Sequence, residues 1–292
     1  MLVGGRPVLA DIDPTSFNMA PGEVEKHITS CTKAIIPFHF AGRPCEMDDI
    51  TAIAERYNVS VIEDCAHGLM AEYGSKPAGT IGDFGAFDFS ASSYVVTGDG
   101  GLVLVRGEDH ARQVRELVSR GFTQENVGDD GPRTSALYRE AKFSYDCGMT
   151  GVQAALGIHQ LEGLNKEWER RRDIRARYDE ALENLPLVIQ SAGTDKGRHG
   201  LHSYVIQLDA ERVDISRDEF VELLRKEGIS VRASYRSLAE HPYYSQRNGW
   251  VASNYPVAQC AGGGLVGLPL SGRMDDQDMS YVIEIVRKAI GL

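Results

Sequence analysis

The residues that could do chemistry gather in two short stretches. Glu63-Asp64-Cys65-Ala66-His67-Gly68 follows the apolar run Val59 to Ile62 and so falls where a strand of an α/β sheet would end. An aspartate buried at a strand end can pair with a protonated ring nitrogen or trade a proton, and His67 can act as acid or base near neutral pH. Both also have plain structural uses, Asp64 as the cap of a following helix and His67 as a hydrogen-bonded core side chain. The second stretch is Asp83 to Gly101, DFGAFDFSASSYVVTGDGG. Phe84, Ala86 and Phe89 with small neighbours suit a buried strand that delivers one chemical position, Ser93, into a pocket. Gly98-Asp99-Gly100-Gly101 then turns the chain into a second strand, Leu102 to Val105, beside the first.

Other reactive residue types are scattered. Cys31, Cys45, Cys65, Cys147 and Cys260 show neither Cys-x-x-Cys nor His-pair spacing, so they read as reduced thiols of a cytoplasmic protein and not as a metal site or disulfide framework. His199 and His202, with no carboxylate or cysteine at ligand spacing, read as surface residues. No metal is expected.

The elements that must position these groups follow a strand-helix-strand order. Arg6 to Asp13 reads as a strand ending at the Asp13-Pro14 turn, Pro21 to Ile28 as a short helix, and Lys33 to His39 as a strand. Asp48 to Tyr57 carries Ile50, Ile53 and Ala54 at helical spacing. Such an order predicts right-handed parallel crossovers, with ligands at the carboxyl ends of the strands. Arg106 to Arg120 reads as an amphipathic helix and 121–142 as a charged loop. Val152 to Leu164 is helical, and Trp168 to Leu185 is a long charged helix whose arginines suit a solvated face. A glycine-bearing linker, Asn184 to Gly200, precedes a smaller α+β lobe. There the strand Leu201 to Leu208, the helix Ser216 to Gly228, the strand Ile229 to Ala233 and a last helix, Asp275 to Ile290, follow in turn. The expected domains are 1–185 and 200–292.

Composition narrows the classes of partner. The 42 acidic residues against 31 basic ones, with no long basic run, argue against a nucleic-acid backbone as ligand. No apolar stretch approaches membrane-spanning length, and the start has no basic region followed by a long apolar run. A small molecule and a protein partner are what remain.

The chain resembles the DegT/DnrJ/EryC1/StrS sugar aminotransferases, pyridoxal phosphate (PLP) enzymes. The resemblance rests on Phe87 and Phe89 as its aromatic pair, on Gly98 to Gly101 in place of its Gly-Glu-Gly-Gly, and on the run Met149-Thr150-x-x-Gln153-Ala154-Ala155-Leu156-Gly157. His241-Pro242-Tyr243-Tyr244 and Gly267-Leu268-Pro269-Leu270 extend it into the last lobe. It implies an incomplete doubly wound, mostly parallel sheet of the PLP-dependent aminotransferase type plus a smaller α+β C-terminal domain. It assigns Asp64 to the cofactor's ring nitrogen and His67 to its phenolic oxygen. It also places Ser93 where the family has the lysine that forms the Schiff base and shuttles the proton. A serine does neither, and no lysine lies between Lys76 and Lys142. Asp146 and Gly148 fall where the family sends charged or amide groups to a neighbour's cofactor phosphate. The resemblance further implies an opening segment, with two strands and a phosphate-binding turn, ahead of the part present here. Exposed sheet edges would then favour an oligomer.

Three functions are consistent with these residues. The chain could be a subunit of a PLP-dependent aminotransferase acting on a keto-sugar or related carbocycle, holding the cofactor weakly or with a partner that supplies the lysine and phosphate site. It could be a non-catalytic paralogue that stabilises or regulates an active relative, or sit as a homodimer. It could be an acid/base enzyme without PLP that uses Asp64 and His67 in a vacated pocket.

Overall fold

The computed structural model describes residues 2–118, 145–192, 196–233 and 235–291. Its central sheet has the order β1-β2-β5-β6, from β1 (Ala34–Ile35), β2 (Ser60–Asp64), β5 (Phe84–Asp88) and β6 (Gly101–Val105). β1, β2 and β5 run parallel, and β6 returns antiparallel on the edge. The turn at Gly98 to Gly101 therefore does lay its two strands side by side. Gly85 is needed in β5, because a Cβ there would sit 2.3 Å from the carbonyl oxygen of Gly79.

Helices α1 (Pro21–His27) and α2 (Met47–Tyr57) pack beside this sheet. α2 buries Met47, Ile50, Ile53 and Ala54, one face at helical spacing, against Val24, Ile35 and Val61. It stops at Asn58, whose left-handed φ of 51° suits asparagine as a C-terminal cap. A small ribbon of β3 (Glu72–Tyr73), β4 (Lys76–Pro77) and β8 (Gly197–Arg198) lies apart, and α3 (Glu108–Val118) follows β6.

The second core gathers around an antiparallel sheet, β10-β9-β7, of β7 (Leu187–Ile189), β9 (Tyr204–Leu208) and β10 (Leu265–Leu268). α4 (Gly151–Glu162) is broken from α5 (Leu164–Leu182) at Gly163, and α5 brings Ile174, Tyr178 and Leu182 into this core. α6 (Arg217–Lys226) and α9 (Asp276–Ala289) complete it with Phe220, Leu224, Met279 and Val286. Both begin with a reciprocal capping box, Ser216 with Glu219 and Asp275 with Asp278. α7 (Pro242–Asn248) and α8 (Pro256–Gly264) lie between α6 and β10.

Several expected elements are shorter or absent. Arg6 to Asp13 is not a strand: only the bridge Ile12 to Met19 forms, because Asp13 caps the backbone of Thr15 and Ser16 in a compact turn. β1 ends before Pro37, which has no N–H to donate, and Phe38 rejoins the ladder opposite Asp64 as a lone bridge. Ile229 to Ala233 keeps one bridge, Arg232 to Gly267. β9 is buried on both faces where alternation suggested a half-buried strand. α3 buries no side chain. The expected loop 121–142 lies outside the described residues. Among the described residues no helix is long and apolar enough to cross a membrane.

Candidate active site at the carboxyl ends of the strands

The carboxyl ends of β1, β2 and β5 bring Phe38, Asp64, His67, Asp88 and Ser93 to one edge of the sheet. β2 is fixed there by Glu63, which is fully buried. Its Oε1 accepts from the backbone N–H groups of Ile81 and Gly82, and its Oε2 from Gly79 N–H and His39 Nε2. Burial opposes ionisation of Glu63, but His39 and the Gly82 and Gly79 amides outweigh it and hold its pKa below the usual carboxylate value. The Cys45 N–H donates to His39 Nδ1, so the proton of His39 lies on Nε2 and points at Glu63. His39, Glu63 and Cys65 lie close enough to suggest a metal triad. The polar atoms of His39 and Glu63 are instead spent on each other and on backbone, and burial drives the Cys65 thiol pKa upward.

Asp64 is half-buried and its Oδ1 caps the next turn by accepting from Ala66 N–H at 3.0 Å. Among the described residues no donor reaches its other oxygen. His67 Nδ1 accepts from Ala41 N–H at 3.2 Å, which leaves the neutral ring's proton on Nε2. Ala41 and Gly42 form a tight turn, Gly42 at φ 99°, where a Cβ would meet the backbone nitrogens of Leu201 and His202 at 2.7 and 2.8 Å. The carbonyls of that turn accept from Gly200, His202 and Ser203 N–H groups, which ties the second core to the first beside the site.

That tie brings in residues the sequence reading misplaced. His199 and His202, expected at the surface, are each 7% exposed. His202 stacks on His67 with ring centroids 3.8 Å apart and planes 17° from parallel, and its Nε2 is buried without a partner. Burial, with Arg232 nearby, lowers the His67 pKa to about 4. Burial, the His67 ring and Arg232 lower His202 further, so both rings are neutral at pH 7. Phe38 and Phe40 flank His67, and Tyr235 packs edge-on against Phe40. The arginines of α5 are not all solvated: Arg175 is buried on the Gln190 carbonyl, and Arg171 lies 3.9 Å over the Tyr94 ring.

Ser93 sits in the turn after β5, not on the strand. Its Oγ donates to Asp88 Oδ2 at 2.7 Å, and Ser90 Oγ donates to the same oxygen at 2.5 Å. Burial acts to raise the Asp88 pKa, but the Ser90 and Ser93 hydroxyls prevail and the carboxylate stays ionised. The sequence reading passed over Asp88, whose signal was an acid between Phe87 and Phe89, and β5 is only half-buried where a buried strand was expected. His202, Arg232 and Tyr235 carried no local signal, since only the packing of the second core brings them here. Asp146 and Gly148 lie exposed ahead of α4.

The mostly parallel sheet, with a half-buried acid, a neutral histidine and aromatic walls at its carboxyl edge, has the α/β architecture of the PLP-dependent aminotransferase fold. The sequence profile of the DegT/DnrJ/EryC1/StrS aminotransferase family matches residues 1–287, and the chain belongs to that family. It is 36% identical over 285 residues to protein MJ1066 of Methanocaldococcus jannaschii, covering 98% of this chain and 74% of the relative. It is 35% identical to the spore coat polysaccharide biosynthesis protein SpsC of Bacillus subtilis, again over 98% and 74%. Among solved structures, the Streptococcus pneumoniae protein Spr1654, assigned as a sugar aminotransferase and solved in its PLP form, superposes with a TM-score of 0.86 at 26% identity. That match covers 99% of this chain and 76% of Spr1654.

The family implies PLP, and the ring end of the site fits it. Asp64 has a carboxylate oxygen that no donor reaches among the described residues, and His67 keeps a proton on Nε2. At the position that the resemblance gives to the family's lysine stands Ser93, and its hydroxyl donates to Asp88.

Proposed function

We propose that the chain is a subunit of a PLP-dependent aminotransferase acting on a keto-sugar or related carbocycle, and that a partner chain supplies the lysine and phosphate site. One observation supports this reading: Asp64 keeps one carboxylate oxygen open and His67 keeps its proton on Nε2, while the Ser93 hydroxyl donates to Asp88. PLP, when bound, supplies an electron sink for proton removal at the substrate carbon. The chain's own residues then have separate tasks. Asp64 holds the ring nitrogen protonated, and His67 offers its Nε2 proton to an oxygen of the ring. Phe38, Phe40 and Tyr235 keep water from the imidazoles. Among the described residues no lysine amine stands at the site to move the proton.

We further propose residues 1–185 and 200–292 as two lobes, with α5 packed on the second. A cytoplasmic setting fits five cysteines that are all free. The acid/base reading without PLP is disfavoured because His67, with a pKa near 4, is a weak base. The non-catalytic reading draws on the same Ser93–Asp88 bond, and one experiment separates it. The chain is purified alone and with a paralogous aminotransferase, and visible absorbance and turnover are recorded with wild type and with Asp64→Ala/His67→Ala. Loss of both signals in the variant complex supports a contributing site. Unchanged turnover favours the non-catalytic role, and absence of cofactor absorbance in every combination overturns the proposal.

A further inference from the structure

Ser93 stands on a segment, Ser92 to Thr97, that the helices following it hold in place. Gln160 of α4 accepts from the Val96 N–H at 2.9 Å and donates to the Val96 carbonyl at 2.7 Å, serving that residue as a strand partner would. Arg171 of α5 covers the Tyr94 ring at 3.9 Å, and the same guanidinium donates to the Leu201 and His202 carbonyls at 3.2 and 3.4 Å. Glu167 pairs with Arg171 Nε at 2.8 Å and keeps it there. Tyr94, directly after Ser93, and His202, which stacks on His67, are therefore packed about one arginine.

Two unpartnered polar atoms meet at that place. Among the described residues three buried side-chain nitrogen or oxygen atoms make no hydrogen bond: the Tyr94 hydroxyl, His202 Nε2 and Arg217 Nε. Arg217 Nε has an ion-pair partner, Asp218 Oδ1, at 2.6 Å. The other two belong to side chains only 9% and 7% exposed, whose rings lie 6.5 Å apart and 58° from parallel. A buried polar atom without a partner has given up water for nothing, which is why folded proteins hold few of them. Here the two complement each other. Burial raises the Tyr94 pKa, so the phenol keeps its proton and donates, and the neutral His202 ring has one nitrogen that accepts. Neither atom reaches the other directly, but one water making two bonds of about 2.8 Å spans a gap of up to about 5.5 Å. Polar partners of this kind are what hold a buried water.

We propose that Tyr94 is a positioning residue: its hydroxyl donates through one bound water to His202 Nε2, which fixes the His202 proton on Nδ1 and holds that ring flat against His67. The turn that carries Ser93 is thereby coupled to His67 through a residue of the second core. Arg171 keeps the phenol from swinging away by lying on its ring face. Removal of the hydroxyl frees the His202 ring, and the stack at 3.8 Å loosens with it. Any effect on turnover rests on the reading of His67 given above, whereas the bond itself is a property of the chain without cofactor.

The test is Tyr94→Phe, which removes the hydroxyl and keeps the ring beneath Arg171. Imidazole nitrogen–proton correlation NMR spectra of the full chain, recorded without cofactor at pH 7, report which ring nitrogen holds the proton; the His202 signals are those lost in His202→Gln. Wild type is expected to show His202 protonated on Nδ1, and Tyr94→Phe to lose that signal as the proton moves to Nε2 or spreads over both nitrogens. The His202 amide, which donates to the Ala41 carbonyl at 3.1 Å, is expected to exchange about fivefold faster in the variant, the worth of one neutral hydrogen bond. Tyr243→Phe, at an exposed tyrosine of α7, is the control and is expected to change neither signal. Circular dichroism checks that the variants fold, and the wild-type spectrum is decisive even where they do not. A wild-type His202 protonated on Nε2, or an unchanged His202 tautomer in folded Tyr94→Phe, would overturn the proposal. Cofactor absorbance bears on the proposed function alone and leaves this assignment untouched.

Discussion

Glu63 is the residue whose replacement has the most calculable effect. Its two oxygens each serve two donors, Ile81 and Gly82 on Oε1 and Gly79 and His39 on Oε2, all out of water. Glu63→Gln keeps one oxygen for one pair but turns an NH2 group toward the other. His39 cannot adapt by moving its proton, because its Nδ1 is occupied by the Cys45 N–H. Two buried donors are left facing a donor, at roughly 1–3 kcal/mol each, so a loss of about 3 kcal/mol is expected. At roughly 2–4 °C per kcal/mol for a chain of this size class, the melting temperature should fall by about 6–12 °C. Urea unfolding followed by circular dichroism gives the free energy directly, with an unchanged m-value showing that the denatured state is not what moved. The pH dependence is a second check. Because the folded-state pKa of Glu63 is depressed, its contribution is complete above the ordinary glutamate pKa of about 4.3 and is lost as pH falls through the folded value. The gap between wild type and Glu63→Gln should therefore narrow in acid. A loss below about 1 kcal/mol at pH 7 would refute the hydrogen-bond account. Stabilisation of the wild type by added zinc would show that His39, Glu63 and Cys65 serve a metal instead.

The remaining predictions concern the site and the tie between the lobes. Ser93→Lys returns an amine beside Asp88, and on incubation with PLP it should give a visible absorbance band and a borohydride-fixable mass increase that wild type lacks; neither signal appearing would place the defect elsewhere than Ser93. The His67 ring protons should titrate near pH 4 in NMR spectra, and since burial depresses this pKa, the stability tied to the neutral ring should be lost as pH falls from about 6.5 toward 4. A midpoint near the free histidine value would show the ring to be solvated. Asp11 accepts from the Val257 and Ala258 N–H groups at the start of α8, and Asp11→Ala should cost about 1–2 kcal/mol in urea unfolding, with no loss if that cap is idle. Gly42→Ala pushes a Cβ into the backbone of Leu201 and His202, and it should expose the His67–His202 pair to faster hydrogen exchange.

The sequence by itself determined the elements whose signals are local. Helix caps at Ser216 and Asp275, the apolar face of α2 and the glycine turn before β6 need only near neighbours in the chain, so their spacing survives reading. The positions of Asp64, His67 and Ser93 at strand ends or in the following turn were legible for the same reason. What only the tertiary structure decided is which side chains those positions meet. Alternation could not show that β9 is covered on both faces, nor that His202 crosses from the second lobe to stack on His67, because burial is set by elements far apart in sequence. The same holds for the arginines: a run of charge on α5 reads as solvated face until folding places Arg175 under the Gln190 carbonyl. Likewise nothing in the spacing of Tyr94, Arg171 and His202 foretells that the three meet. Local chemistry fixes what a segment can become, and long-range packing fixes the dielectric and the partners that give each group its role.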